Sequence, residues 1–249
     1  MCRLLAFASM APTTPEELVG DDLKSFMSLS EEHGDGWGMA WYDGDGELNV
    51  AKDVEAASTS DLFDKLSRTT DTQAMVLHLR KASPGLSIVL ENTHPFTADQ
   101  LAFAHNGWIQ PIPDLEDLLD PEMRHTLRGT TDSERYFQLL LAATEATGGV
   151  EQALPPLLER LRRDFRYNAL NFVLLTEPRL YAVCDYNLEA VARRGDPEYY
   201  TLGYRVTPDS VVVGSSGCWG DRPVWRTLAN HQALVVDRGS LQTSVLDLR

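Results

Sequence analysis

Short β-like runs crowd both ends of this 249-residue chain, and two long helical stretches stand between them. That order constrains the fold more than any other feature. The apolar run over residues 2–9 reads as a buried first strand. Strand patterning recurs over Trp37–Tyr42, Glu47–Lys52, Ala74–Arg80 and Leu101–His105. Between the first two of these, Asp43-Gly44-Asp45-Gly46 is a hairpin turn signal. Helical spacing marks Asp21–Leu29 and Ser60–Ser67, with Ser60 placed to cap the latter. The long mid-chain helix opens at Thr131-Asp132-Ser133-Glu134, which has capping-box spacing, and carries Phe137, Leu140 and Leu141 on its apolar face. A second helix of mixed charge is predicted over Val150–Phe165. Strand-like runs then follow at Asn171–Thr176, Leu180–Asp185, Tyr199–Gly203, Ser210–Gly214 and Ala233–Asp237. Strands in blocks, not alternating with helices, predict an α+β layered protein with largely antiparallel sheets. No Gly/Ser or Pro-rich linker interrupts the chain, so residues 1–249 are expected to form one domain.

Charge narrows the partners. With 22 basic and 37 acidic side chains the net charge is −15, which repels phosphate backbones, so nucleic acid is not expected to bind. The three cysteines, Cys2, Cys184 and Cys218, are too few and odd in number for a disulfide framework, and they suit a reducing compartment. The amino terminus lacks the charged leader and long apolar run of a secretory signal, and no stretch approaches the ~20 apolar residues of a membrane span. A cytoplasmic protein is expected, with no membrane association.

Cys2 directly follows the initiator methionine. The plain reading is a small buried strand residue. The chemical reading is that loss of Met1 frees an α-amine beside the thiol. With ordinary pKa values near ~8 and ~8.5, that amine can take the thiol proton near neutrality. One residue then supplies both nucleophile and base. Amide cleavage also needs donors for an oxyanion, and Asn106-Gly107 offers a side-chain amide and a closely approachable backbone N–H. By itself Asn-Gly is equally a turn. Arg80 could grip a carboxylate with two donors, or could simply be ion-paired. Asp132 could receive an ammonium group, or could only serve the start of its helix.

Taken together these residues resemble a family. Met1-Cys2-Arg3, His78-Leu79-Arg80-Lys81-Ala82-Ser83, Asn92-Thr93-His94-Pro95-Phe96, His105-Asn106-Gly107 and Thr131-Asp132-Ser133-Glu134 follow the order of motifs in class II glutamine amidotransferases. The segment Asp35-Gly36-Trp37-Gly38-Met39-Ala40-Trp41-Tyr42 resembles their free-standing, YafJ-like branch. The matched blocks reach from residue 2 to about 140, and Val213-Gly214-Ser215-Ser216 is compatible but less diagnostic. The resemblance implies a four-layer αββα sandwich of the N-terminal-nucleophile hydrolase type. It implies that Cys2 attacks a γ-carbonyl to form a γ-glutamyl thioester, with Asn106 and Gly107 holding the oxyanion. Arg80 and Asp132 would hold the α-carboxylate and α-amine of glutamine. Ser83, at a position often Thr in the family, would contact substrate, and Asn92, His94 and His105 would shape the pocket walls. One stretch departs from the pattern: Arg80-Lys81-Ala82-Ser83-Pro84-Gly85 stands where the glucosamine-synthase-like members have Arg-Trp-Ala-Thr-His-Gly.

The remaining residues carry quieter expectations. His33, His78, His94 and His105 match no zinc spacing, so neither metal nor other cofactor is expected. Cys184 and Cys218 read as core or loop residues. The tryptophans are first of all packing residues, although Trp37 and Trp108, beside matched blocks, are candidates to line the pocket. Arg160, Arg162, Arg163 and Arg166 read as a solvated, salt-bridged helix face. Three functions stay open: hydrolysis of glutamine, with any ammonia-accepting synthase on a separate protein; hydrolysis of a larger γ-glutamyl amide, as in an ergothioneine-pathway-like relative; and an idle binding module.

Overall fold

A first strand with apolar residues on both faces has to lie between two apolar layers. The computed structural model, which describes residues 2–219 and 222–249, shows how. Its strands are β1 (Arg3–Thr13), β2 (Trp37–Tyr42), β3 (Leu48–Asp53), β4 (Thr72–Leu79), β5 (Phe96–Ala98), β6 (Leu101–Gln110), β7 (Arg166–Leu175), β8 (Arg179–Cys184), β9 (Leu202–Val206), β10 (Ser210–Ser215), β11 (Arg226–Thr227), β12 (Gln232–Asp237) and β13 (Thr243–Asp247). Its helices are α1 (Pro15–Val19), α2 (Asp21–Ser28), α3 (Asp61–Thr69), α4 (Ile112–Glu116), α5 (Pro121–Thr126), α6 (Asp132–Thr147), α7 (Val150–Asp164) and α8 (Leu188–Arg194). Among the described residues the strands form two sheets, ordered β11-β9-β10-β1-β4-β2-β3 and β13-β12-β8-β7-β6-β5. The pairings within them are antiparallel.

Alternation along the central strands builds the layers. Leu4, Ala6 and Ala8 of β1 and Val76 of β4 meet Ala104 of β6 and Val173 of β7 in a core between the sheets. The alternate residues Leu5, Phe7, Leu77 and Leu79 face outward onto Leu23 and Phe26 of α2 and Phe63 of α3. Phe103 and Phe172 of the second sheet pack outward on Phe137 and Leu140 of α6 and on Leu154 and Leu158 of α7. Helix, sheet, sheet and helix therefore stack as the expected αββα sandwich. Each fully buried Leu or Phe contributes roughly 1.5–3 kcal/mol to it.

Local capping follows the sequence in part. Ser60 Oγ accepts the Phe63 N–H at 3.3 Å, starting α3. Asp43 Oδ1 accepts the N–H groups of Asp45 and Glu47, both at 3.0 Å, closing the β2–β3 hairpin. Thr131 Oγ1 accepts the Glu134 N–H at 3.2 Å. The Glu134 carboxylate does not return to Thr131, however; it takes the backbone N–H groups of Arg128 and Gly129 at 2.8 and 2.9 Å. Only half of the anticipated capping box forms, because the preceding loop offers Glu134 two donors at once.

Other departures have similar physical causes. β6 continues to Gln110, past the expected end at His105. β9 begins at Leu202, since Tyr199 and Tyr200 turn away to pack with Ala169 and Ala190. The arginine cluster on α7 is not uniformly solvated. Arg163 pairs with Asp164 at the surface, but Arg162 lies one helical turn beyond buried Leu158 and turns inward. It reaches the fully buried Asp185 at 2.5 Å and the Leu248 carbonyl at 2.9 Å.

Candidate active site

Strand register brings distant sequence blocks to one end of the sandwich. Arg3 pairs with Leu79 across β1 and β4, which sets Cys2 beside Arg80. By alternation Cys2 continues the inward row of Leu4 and Ala6, Arg80 that of Val76, and Asn106 that of Ala102 and Ala104. Cys2 is buried, and its Sγ lies 3.8 Å from the Lys81 carbonyl oxygen. Burial pushes its thiol above the ordinary value, with the Arg80 charge opposing and the Asp132 charge adding to the shift. The Cys2 thiol thus feels both charges. Just behind them the Ser215 hydroxyl accepts the Leu4 N–H at 2.9 Å, tying β10 to the first residues of β1.

Arg80 is held by the segment before β2. The Asp35 N–H donates to the Arg80 carbonyl at 3.0 Å, and the Arg80 N–H donates to the Gly36 carbonyl at 2.8 Å. Asp35 Oδ2 accepts the Ala82 N–H at 2.8 Å. The guanidinium donates to the Asp35 carbonyl at 3.3 Å and to the Ser87 carbonyl at 2.9 Å. Of its five N–H donors these bonds use two, so it can still present others to a carboxylate. Asp35 was quoted in the sequence only as part of a family segment. Its anchoring role depends on a contact 45 residues away that no local pattern announces.

Asp132 is the first residue of α6, and its Oδ2 accepts the Ile109 N–H at 2.6 Å from the end of β6. Burial raises its carboxyl to about 6, opposed by backbone N–H groups of Ile109 and Ser133 and by the Arg135 charge. Asn106 is 1% exposed, and neither its Nδ2 nor its Oδ1 has a protein partner. A buried amide left open at both ends is costly, roughly 1–3 kcal/mol, unless a ligand completes it. Gly107 follows at a point where β6 and β7 close tightly. A Cβ there would lie 1.8 Å from the Ala169 carbonyl oxygen and 2.7 Å from His105 Nε2. Only glycine fits.

His105 points out of the inter-sheet core toward α6. Its Nδ1 lies 2.9 Å from the Ser133 hydroxyl and its Nε2 lies 3.1 Å from the Ala169 carbonyl. A carbonyl can only accept, so Nε2 carries the proton and Nδ1 accepts from Ser133. Burial holds the ring down to about 4, keeping this neutral tautomer at physiological pH. The ring thereby joins the start of α6 to the strand opposite Gly107. Ser133 was not singled out as a site residue; its place directly after Asp132 at the helix start is the only signal it gave.

The other candidates divide. Asn92 clamps the loop after β4 to the approach of α6: its Nδ2 donates to Ser87 O and Thr130 Oγ1 at 3.1 and 3.2 Å, and its Oδ1 accepts the Thr130 N–H at 2.8 Å. The His94 ring packs against His78 at 4.2 Å between centroids, tilted by 35°, and burial holds both rings well below their usual pKa. Ser83 is half-buried in the loop after β4, where its carbonyl accepts the Leu86 N–H at 3.1 Å. Trp108 is half-buried and its N–H donates to Asn168 Oδ1 at 2.8 Å. Trp37 corrects the sequence reading. It sits fully buried on the outward face of its sheet, edge-on to Phe63 at 5.2 Å, so it packs the sheet–helix core and does not line the pocket. Cys184 and Cys218 are buried thiols pushed up to about 12 by burial, one between the sheets and one under the first helical layer. Met1, whose loss the chemical reading of Cys2 requires, lies outside the described residues.

The αββα sandwich with a cysteine at the head of its central strand is the architecture of N-terminal-nucleophile hydrolases. Solved structures of this type superpose along the whole chain. A class II glutamine aminotransferase domain protein from Silicibacter pomeroyi gives a TM-score of 0.66 at 20% identity, covering 99% of both chains. The Bacillus subtilis glutamine phosphoribosylpyrophosphate amidotransferase gives 0.68 at 17% identity, covering 100% of this chain and 49% of that one. In sequence, YafJ of Escherichia coli K12 is 31% identical over 239 residues, covering 86% of this chain and 88% of its own. A Haemophilus influenzae relative is 28% identical over 225 residues, covering 85% and 71%. Residues 1–203 match the family of class II glutamine amidotransferases, and the chain belongs to it.

Proposed function

We propose that the protein hydrolyses the γ-amide of glutamine through a γ-glutamyl thioester on Cys2, exposed as the amino-terminal residue after loss of Met1. The observation that carries this reading is the buried Asn106 amide with both polar atoms open, on the inner face of its sheet opposite the inner face that carries Cys2 and Arg80. Arg80 takes the glutamine α-carboxylate and Asp132 its α-ammonium, placing the γ-carbonyl at the thiol. The Cys2 amine accepts the thiol proton, sulfur adds to the carbonyl carbon, and the Asn106 Nδ2 and Gly107 N–H groups take up the negative charge on oxygen. The amine then gives its proton to departing ammonia. Water, deprotonated by the same amine, cleaves the thioester to glutamate and frees the thiol. A separate synthase could consume the ammonia.

The test combines mass and turnover. Intact mass of the purified protein should show Met1 absent, and 6-diazo-5-oxo-L-norleucine should add one adduct at Cys2. Cys2→Ala should release no glutamate from glutamine while unfolding at the same urea concentration as the parent. Labelling at Cys184 or Cys218, or undiminished turnover by Cys2→Ala, would overturn the proposal. Turnover of bulky γ-glutamyl amides without turnover of glutamine would replace glutamine as the substrate.

A further inference from the structure

Away from the cysteine, the two sheets end in the edge strands β3 and β5, and the space between these edges is not filled. A cavity of about 670 Å³ opens there, with Val50, Leu90, Phe96 and Phe137 as apolar walls. That volume is within the range of small-molecule sites, roughly 300–1,000 Å³. Two cations reach it, Lys52 from β3 and Arg128 from the loop before α6.

The charges at this cleft are unevenly committed. Lys52 is half-buried, pairs across the ladder with Gly38, and donates from Nζ to the Thr93 carbonyl at 2.9 Å. An ammonium group has three donors, so two remain to be satisfied. Among the described residues, neither Lys52 nor Arg128 has a carboxylate within ion-pair distance. Three carboxylates also line the cavity. Glu134 already holds the N–H groups of Arg128 and Gly129 and lies 3.6 Å from the Arg135 guanidinium. Glu91 and Asp99 are exposed. Burial lowers Lys52 to about 8, outweighing the opposing pull of Glu134 and Glu91, and Arg128 lowers it further. Lys52 and Arg128 thus face the slot without an ion-pair partner, beside the apolar side chains of Leu90 and Phe96, an arrangement that an anion with an apolar body would complete.

We propose that this cleft is a second ligand site, taking a small molecule with one carboxylate on an apolar body. The carboxylate meets Lys52 and Arg128, and the apolar body lies between Phe96 and Leu90. The site is distinct from the amide-cleaving pocket but adjoins it through the chain. Thr93, whose carbonyl Lys52 holds, stands between Asn92, which clamps the loop after β4, and His94, which packs against His78.

Binding can be read without any turnover. 3-Phenylpropionate and inorganic phosphate would each be titrated calorimetrically into the full-length protein and into Lys52→Met, Val50→Glu and Arg80→Gln. The expected result is 3-phenylpropionate binding that weakens at least tenfold in Lys52→Met and in Val50→Glu and is unchanged in Arg80→Gln. Val50→Glu puts an anion on the same strand face as Lys52, where it competes with the ligand carboxylate while keeping the lysine, so it serves should Lys52→Met fold poorly. Three results would each overturn the proposal: no binding of 3-phenylpropionate, equal affinity in both cleft variants, or loss of binding in Arg80→Gln alone, which would put the probe in the glutamine pocket. Phosphate binding as tightly as 3-phenylpropionate would overturn the apolar half of the site.

Discussion

Gly107→Ala tests the geometry at the center of the site. The added methyl would start 1.8 Å from the Ala169 oxygen, 2.6 Å from the Ala169 carbonyl carbon and 2.7 Å from His105 Nε2. Ordinary contacts between heavy atoms lie near 3.5 Å, so β6 and β7 would have to part locally by on the order of 1.5 Å. No flexible side chain can yield instead, because two of the three obstructing atoms are backbone. Parting the strands also breaks the His105–Ala169 hydrogen bond and leaves a buried donor without a partner. Overpacking costs roughly 1–3 kcal/mol and the orphaned donor roughly 1–3 kcal/mol, so a loss of about 3 kcal/mol is expected. Urea unfolding followed by circular dichroism would measure it, against Gly44→Ala as a control, since a Cβ at Gly44 meets nothing within 4 Å. The control should fall within about 0.5 kcal/mol of the parent. Glutamine turnover in Gly107→Ala should drop by roughly 10²–10³, the usual cost of a displaced oxyanion donor. A variant as stable and as active as the parent would refute both the close-packing and the oxyanion argument.

Two further predictions concern buried charge. Asp132 has its carboxyl raised to about 6 from an ordinary value of 3.8, so the folded state holds a proton there that the unfolded chain has lost. Stability should therefore fall as pH rises from about 4 to about 6, and Asp132→Asn should flatten that slope and be the more stable at pH 7.5, by about 2 kcal/mol. Because the ionised form is the one that receives an ammonium, KM for glutamine should rise as pH drops through about 6; a KM flat from pH 5 to 8 would remove Asp132 from substrate binding. Arg162→Met strands the fully buried Asp185 with only His231 nearby, at 3.3 Å, and should cost about 3 kcal/mol in urea unfolding. A loss below 0.5 kcal/mol would return Arg162 to the solvated face that sequence periodicity assigns it.

The residues proposed as nucleophile, oxyanion pair and substrate grip stand out as motifs because the chemistry proposed for them restricts residue type. Cysteine beside a terminal amine, glycine at a close approach and arginine for a carboxylate have few substitutes. Asp35 and Ser133 were not legible in that way. Each works through a bond to a residue far along the chain, Asp35 to Arg80 and Ser133 to His105, and such pairings leave no periodic trace. Trp37 packs in the core, as tryptophans first of all do, and its candidacy for the pocket wall fails. Adjacency to a matched block says nothing about which sheet face a side chain takes, and the register of β2 with β4 sends this one outward.

What the chain determined by itself is the set of elements and their chemistry: long amphipathic helices, alternating strands, caps at Ser60 and Thr131, and a cysteine in the second position. Local propensity and side-chain reactivity act over a few residues, so they survive in one dimension. Tertiary structure alone decided that β1 lies between β10 and β4, that Asn106 is sealed with its amide unpartnered, and that Lys52 faces an open cleft. Those outcomes depend on strand order and on the spacing between two sheets, which arise only when residues a hundred positions apart compete for the same core.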